Sequence, residues 1–285
     1  MATQIMETEP MVTEPYRSTK VPRSINSTPE YRRNAPHSQA QALNNEAASL
    51  IARKEDLPQA ITILTKALLL SQTSTNENKP SSCADCSLDA CFIYEDEDDT
   101  KSNTRHPLQR QSSTSACHED RGFVYDRPLR VHQTCIEESH YMGANLIMMI
   151  LFNLAMAHQL LAISIPQSDG YSAIIKTASM EKSLRLYDIC VVHAHNNCGY
   201  SGRDGLRLKM VVLNNLGEIH RMSKDTTKHY MCQEYMLRVL MFVAHGNSGG
   251  RDTACDLLPS KVIDGFYHNI HSSPELFGTM HAGAA

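Results

Sequence analysis

Apolar residues recur at helical spacing along most of this chain, beginning near residue 39. Between residues 39 and 71, one apolar stripe contains Leu43, Ala47 and Leu50, and a second contains Leu57 and Ile61. Apolar positions three and four residues apart lie on one face of a helix. A short polar turn separates the stripes, so the sequence predicts two antiparallel helices over residues 39–71.

Helical periodicity returns after a long interruption and continues almost to the end of the chain. It covers about 135–163, where the pattern leaves room for a break, and then 171–197, 206–223 and 226–245, and an amphipathic helix follows at 260–270. The last helix offers an apolar face that suits the end of a helix stack. The whole pattern therefore predicts an all-α fold.

Three short stretches of the predicted helices share the pattern Leu-x-Asn-x-Ala/Gly. They are residues 43–47, 151–155 and 213–217, and each is followed by a second helical pattern. A recurring pair of helices is typical of repeat proteins. We interpret the shared asparagines as structural residues that hydrogen-bond to backbone groups between adjacent helix pairs, and not as catalytic residues.

The first helix pair resembles a tetratricopeptide repeat (TPR), in which small residues let paired helices approach closely and larger ones fill the gaps. The matching positions are Ala47, Ala48, Ile51, Leu57, Ala60, Leu64 and Ala67 in the first copy, Leu154, Ala155, His158, Ser183, Tyr187 and Cys190 in the second, and Leu216, Gly217, His220, Cys232, Met236 and Val239 in the third. The family repeat is about 34 residues long, whereas these copies start 108 and 62 residues apart. The resemblance covers about half of the chain and implies antiparallel helix-hairpin repeats, a TPR-like solenoid, interrupted by insertions.

The resemblance also implies a concave groove, formed by the first helix of each pair, that binds a peptide or a helix of a partner protein. The residues expected to face this groove are Asn45, Ser49, Arg53, Phe152, Met156, Gln159, Asn214, Glu218 and Arg221. Helical periodicity leaves open whether Phe152 and Met156 line the groove or belong to the core. The identity of the partner and the oligomeric state also stay open.

The segments around the helices differ from them in composition. Residues 1–38 and 276–285 are expected to be a disordered tail and a flexible tail, and residues 72–120 an acidic, disordered insertion. Residues 121–134 are expected to form an extended clasp, because Pro within them is confined to edge strands or irregular chain. Residues 135–275 then contain the second and third TPR-like helix pairs and the capping helix.

Composition argues against nucleic acid and membrane partners. The net charge is -4 and Trp is absent, so neither a basic phosphate-binding surface nor a platform for base stacking is indicated. Residues 139–168 lack charged side chains and are long enough to span a bilayer. However, Asn145, Asn153 and His158 would then lie in lipid, so a buried helix is the better interpretation. The N-terminus shows no secretory signal, and we expect an intracellular protein, cytoplasmic or nuclear.

No known catalytic, phosphate-binding or dinucleotide-binding motif is present in the sequence. We therefore expect a non-catalytic interaction module or scaffold, without catalytic residues, metal or cofactor. One alternative is a zinc-stabilised regulatory protein that uses Cys83 and Cys86, although these form only half of a tetrahedral site. A second alternative is an enzyme whose site is assembled from scattered residues.

Overall fold

The computed structural model describes residues 35–73, 92–94, 122–166, 170–196, 203–245, 258 and 260–272. Within these residues the chain is mostly helical, which confirms the predicted all-α class. The helices are α1 (Ala35–Arg53), α2 (Leu57–Thr73), α3 (Gln133–Glu137), α4 (Ala144–Ser164), α5 (Gly170–Asn196), α6 (Arg203–Met222), α7 (Thr226–His245) and α8 (Ser260–His271). Two short strands, β1 (Phe92–Tyr94) and β2 (Leu129–Val131), pair with each other.

Two helix pairs are closed by the same kind of turn. After α1, Lys54 has a φ of 56°, and after α6, Lys224 has a φ of 61°. Residues with positive φ let the chain turn back and bond to the last carbonyl groups of the helix. Glu55 N–H accordingly donates to Leu50 O at 3.0 Å, and Asp225 N–H donates to His220 O at 2.9 Å.

Aspartate side chains begin the helices that follow these turns. Asp56 Oδ1 accepts from Gln59 N–H at 3.0 Å at the start of α2. Asp225 Oδ1 accepts from Lys228 N–H at 3.1 Å at the start of α7. Such caps satisfy N–H groups that have no partner inside the helix, and they fix where each second helix begins.

Helix α4 is the centre of the core. Every residue from Met148 to Gln159 is buried, and α4 packs against α2, α5 and α6. Among the described residues it is the one helix long and apolar enough to cross a membrane, but 78% of its most apolar window is buried inside the protein. Packing against neighbouring helices therefore accounts for its apolar sequence.

The helices contact one another largely in chain order. Helix α1 packs on α2, α2 on α4, α4 on α5, α5 on α6, α6 on α7 and α7 on α8. One hydrophobic core runs through them from Ala40 in α1 to Ile270 in α8.

Two expected boundaries are wrong, and a break that the sequence left open is present. Helix α1 begins at Ala35, inside the predicted tail. The break divides the helical pattern from Cys135 into α3 and α4, because Ser139 (φ 51°) and Gly143 (φ 54°) take left-handed conformations that a helix does not tolerate. Strand β1 lies within the stretch 72–120 that was expected to be disordered. The rest of that stretch, and both chain ends, lie outside the described residues.

Residues 122–131, which we call the extended segment, run across the helices without helical structure. At the C-terminal end of the segment, β2 pairs antiparallel with β1 in the register Phe92–Val131 and Tyr94–Leu129. The pairing occupies one edge of β2, and the opposite edge faces α1 and α4.

Candidate functional site

Four asparagine side chains bind the backbone of the extended segment. In each case Nδ2 donates to the carbonyl oxygen of one residue and Oδ1 accepts from the N–H of the same residue. The pairs are Asn45 with Val131, Asn153 with Leu129, Asn215 with Tyr125, and Asn269 with Phe123, with all distances between 2.6 and 2.8 Å. We call these four residues the asparagine ladder, and the helix faces that carry them the ladder face.

The spacing of the bound residues follows from strand geometry. In extended chain, the N–H and C=O groups of alternate residues point to the same edge, so residues 123 and 125 form one pair of rungs and residues 129 and 131 another. Arg130, which lies between two rungs, is opposite Ile93 of β1. The segment runs against the order of the helices, from α8 at its N-terminal end to α1 at its C-terminal end.

Two further asparagines hold the ladder in place. Asn44 Nδ2 donates to Leu129 O at 3.1 Å, and Asn44 Oδ1 accepts from Asn153 Nδ2 at 3.0 Å. At the other end of the segment, Asn214 Nδ2 donates to Phe123 O at 3.0 Å, and Asn214 Oδ1 accepts from Asn269 Nδ2 at 2.8 Å. Since buried amides are costly unless hydrogen-bonded, these contacts fix the orientation of the rungs.

The Asn215 rung is part of a longer buried network. Asn215 Nδ2 also donates to Tyr187 Oη at 3.0 Å, and that hydroxyl donates to Gln159 Oε1 at 3.0 Å. Gln159 Nε2 in turn donates to Asn215 O at 3.3 Å. Burial raises the pKa of the Tyr187 hydroxyl far above its ordinary value, so the group stays protonated and keeps its donor role.

The side chains of the segment fill the space between the helices. Tyr125, Leu129 and Val131 are each 1% exposed. The ring of Tyr125 lies 6.4 Å from the ring of Phe152, which itself lies 6.0 Å from the ring of Tyr187. The segment is therefore bound through its main chain on one side and through apolar side chains on the other.

Two glycines allow the close fit at the α8 end. A Cβ atom at Gly265 would overlap the ring of Phe123, and one at Gly122 would overlap the carboxylate of Glu218. Glu218 is buried and pairs with Arg221 at 2.9 Å. Burial raises the pKa of Glu218, and the cation of Arg221 opposes this.

The chain that follows the segment is anchored to α1. Gln41 Nε2 donates to His140 O at 2.7 Å, and His37 Nε2 accepts from Met142 N–H at 2.9 Å. Burial, assisted by the nearby His140, lowers the pKa of His37 from 6.5 to about 4. His37 is thus neutral in the folded protein, because its Nε2 must remain an acceptor.

We expect this anchor to make the protein sensitive to acid. The pKa of His37 is lower in the folded state, so the unfolded state binds the extra proton as the pH falls. The contribution of His37 to the free energy of unfolding should be constant above pH 6.5 and should fall between pH 6.5 and about 4. His37→Gln keeps an acceptor for Met142 N–H but does not titrate. Between pH 6.5 and about 4, the free energy of unfolding of this variant should fall by about 3 kcal/mol less than that of the wild type. Urea unfolding at pH 7 and pH 4.5 measures this, and equal losses in both proteins would contradict it.

The predicted groove residues lie in three places: at the extended segment, in local contacts of α1, and in the core. Asn45 and Asn214 bind the segment, Phe152 packs against it, Glu218 and its partner Arg221 lie at its N-terminal end, and Gln159 supports the Asn215 rung. Ser49 and Arg53 form local contacts, to Asn45 O at 3.0 Å and to Glu55 at 3.1 Å. Phe152 and Met156 are both fully buried, so they belong to the core, with Phe152 directly beneath the segment.

One interpretation of the repeated pattern is wrong. The asparagines of the three Leu-x-Asn stretches were expected to bond between adjacent helix pairs, but they bond to the extended segment. The fourth rung was not anticipated, because α8 has Tyr267 in place of Leu and His271 in place of Ala or Gly. It matches the pattern only at Asn269, and a single asparagine gives no signal.

Comparison of the chain with models of protein families, with curated proteins and with solved structures finds no match. Cys83 and Cys86, on which a zinc site would depend, lie outside the described residues. In the part of the chain that the structure describes, no group of three or more His, Cys, Asp or Glu side chains is placed to hold a metal ion.

Proposed function

We propose that this protein is a non-catalytic interaction module whose ladder face is a groove for extended peptide. The observation that supports the proposal is the asparagine ladder, in which four side-chain amides bond to both the N–H and the C=O of a chain in extended form. Main-chain hydrogen bonds of this kind give affinity for any extended peptide, and the pockets for alternate side chains add selectivity. A peptide, rather than a helix, is then the ligand.

The helix pairs support a TPR-like arrangement of this groove. Where the first and second helices of a pair cross, small residues allow close contact: Ser183 Oγ donates to Ala155 O at 2.7 Å, and a Cβ at Gly217 would meet Cys232 Cβ at 3.3 Å. Asn45 and Asn215 each precede by nine residues the left-handed lysine that ends their helix. This equal spacing is what repeated hairpins would produce.

A panning experiment tests the proposal. A displayed library of random 12-residue peptides is selected on the intact chain and on a variant, Tyr125→Ala/Leu129→Ala, in which the extended segment has lost two of its buried side chains. We expect enrichment of peptides with apolar residues at alternating positions on at least one of the two proteins.

The location of binding is measured directly on the ladder. In protein labelled with ¹⁵N-asparagine, the side-chain amide signals of Asn153 and Asn215 should shift when a selected peptide is added. Asn145 precedes Asn153 in α4 by eight residues, about 12 Å along the helix, and is the control, since its signal should not move. Failure to enrich any peptide on either protein, or peptides that leave the ladder signals unchanged, would overturn the proposed function.

The zinc alternative has its own measurement. Elemental analysis of the purified chain, with about one zinc ion bound per molecule, would favour a zinc-stabilised regulator. A chain without bound zinc that still selects peptides at the ladder would favour the groove.

A further inference from the structure

We propose that the extended segment is an exchangeable ligand held in cis, so that the ladder face binds, in trans, peptides with the pattern Gly-Phe-x-Tyr-x-x-Pro-Leu-x-Val. The pattern is that of residues 122–131 themselves. This inference rests on the proposed function and deepens it, because it names the class of ligand and the way in which the intact chain limits access to the groove.

The contacts of the segment are those of a bound peptide. Its rungs are made by main-chain groups, which every peptide has, and its buried side chains are apolar. The side chain of Asp126 forms an ion pair with Lys54 at 2.8 Å, but both groups are substantially exposed, and such a pair adds little. A separate peptide of the same sequence would therefore make these same contacts.

The first position of the pattern is set by a steric limit. Because the carboxylate of Glu218 occupies the place of a Cβ atom at Gly122, a ligand with a larger residue there would have to displace this buried carboxylate, which is paired with the partly exposed Arg221. We expect glycine before the first aromatic residue to be a requirement for binding.

The two ends of the segment are held differently. At the C-terminal end, Val131 is followed at once by α3 and by the anchor of His140 and Met142 on α1. At the N-terminal end, Gly122 and Phe123 are only partly buried, whereas Leu129 and Val131 are buried. Exchange should therefore begin at Phe123 and Tyr125, where the rungs of α8 and α6 can open while α1 keeps its contacts.

Tethering explains why the intact chain would bind such a peptide weakly. A ligand attached to its own site has an effective concentration on the order of millimolar, so a free peptide with the same contacts competes poorly. Weakening the tethered copy, without changing the ladder, should release the groove.

The experiment measures this release by fluorescence anisotropy. A fluorescein-labelled peptide of residues 121–133 is titrated with the full wild-type chain and with Tyr125→Ala/Leu129→Ala. We expect the variant to bind at least tenfold more tightly. The matched control, Tyr171→Ala/Leu69→Ala, removes the same two residue types from exposed positions on α5 and α2, and its affinity should equal that of the wild type.

Modified peptides show whether the ladder makes the contacts. An N-methyl group at Tyr125 removes the N–H that donates to Asn215, and should weaken binding to the variant at least tenfold. An N-methyl group at Val124, whose N–H points to the other edge of the strand, should cost less than threefold. A peptide with valine in place of Gly122 should also bind at least tenfold more weakly.

Equal affinities of the wild type and the folded variant, or no binding of the peptide to that variant, would overturn the inference. If peptides from the library shift the ladder signals while the peptide 121–133 does not compete with them, this inference fails and the proposed function stands. Should the double variant lack a cooperative thermal transition, Phe123→Ala takes its place, because it alters only the α8 end. It should gain at least threefold in affinity, and no gain in that variant would overturn the inference.

Discussion

Replacement of Asn215 by alanine is expected to lower the free energy of unfolding by about 3–5 kcal/mol. The Asn215 side chain bonds to Tyr125 N–H, to Tyr125 O, to the Tyr187 hydroxyl and to Asn214 Nδ2, and all of these contacts are buried. A buried polar group that loses its partner costs about 1–3 kcal/mol, and alanine removes four contacts at once. Urea unfolding followed by far-UV circular dichroism measures the change.

The Asn45 rung offers a matched comparison within the same protein. Asn45 makes the same pair of bonds to Val131, but it is only partly buried. Water can replace part of what alanine removes there, so Asn45→Ala should cost about 1 kcal/mol. A loss below 1 kcal/mol for Asn215→Ala, or equal losses at the two rungs, would contradict the role given to burial in the ladder.

Replacement of Phe152 by alanine, in a separate variant, is expected to lower the free energy of unfolding by about 3–5 kcal/mol. Phe152 is fully buried and stands between the rings of Tyr125 and Tyr187. Alanine would leave a cavity directly beneath the extended segment. The segment should then exchange its amide hydrogens faster than α1 does, and hydrogen exchange of the two regions reports this alongside the urea measurement.

Two substitutions calibrate this result. Phe152→Leu fills most of the space and should cost about 1 kcal/mol. Phe242→Ala removes an exposed phenylalanine of α7, and should change the free energy of unfolding by less than about 0.5 kcal/mol. If Phe152→Ala costs no more than Phe242→Ala, then Phe152 is not part of the core.

The helices could be predicted from the sequence because apolar periodicity and capping residues are local features. The periodicity indicates a helix over residues 226–245, and α7 spans Thr226–His245. The start of α7 is marked by Asp225, a good capping residue, after a turn at Lys224. The sequence left room for a break between α3 and α4 but not its position, because Ser139 gives no sign that its φ will be positive.

The sequence did not predict which residues the asparagine ladder binds. Asn45 and Val131 are 86 residues apart, and Asn269 and Phe123 are 146 residues apart. A hydrogen bond from a side chain to the backbone leaves no requirement on the identity of the bound residue, so the extended segment carries no pattern that matches the asparagines. The sequence singled out Leu-x-Asn as a repeated feature, and only the three-dimensional arrangement shows what the asparagines bind.

The reversed direction of the extended segment has a consequence for synthesis on the ribosome. When residues 122–131 leave the ribosome, Asn45 is the one rung already made, while Asn153, Asn215 and Asn269 follow later in the chain. Contacts between residues distant in sequence form slowly, because chain entropy must be lost first. The nascent segment therefore emerges before most of its binding surface, whose asparagines are synthesised in order from α1 to α8. A chain that ends before α8 would leave Phe123 without its rung, exposed to chaperones or to neighbouring nascent chains.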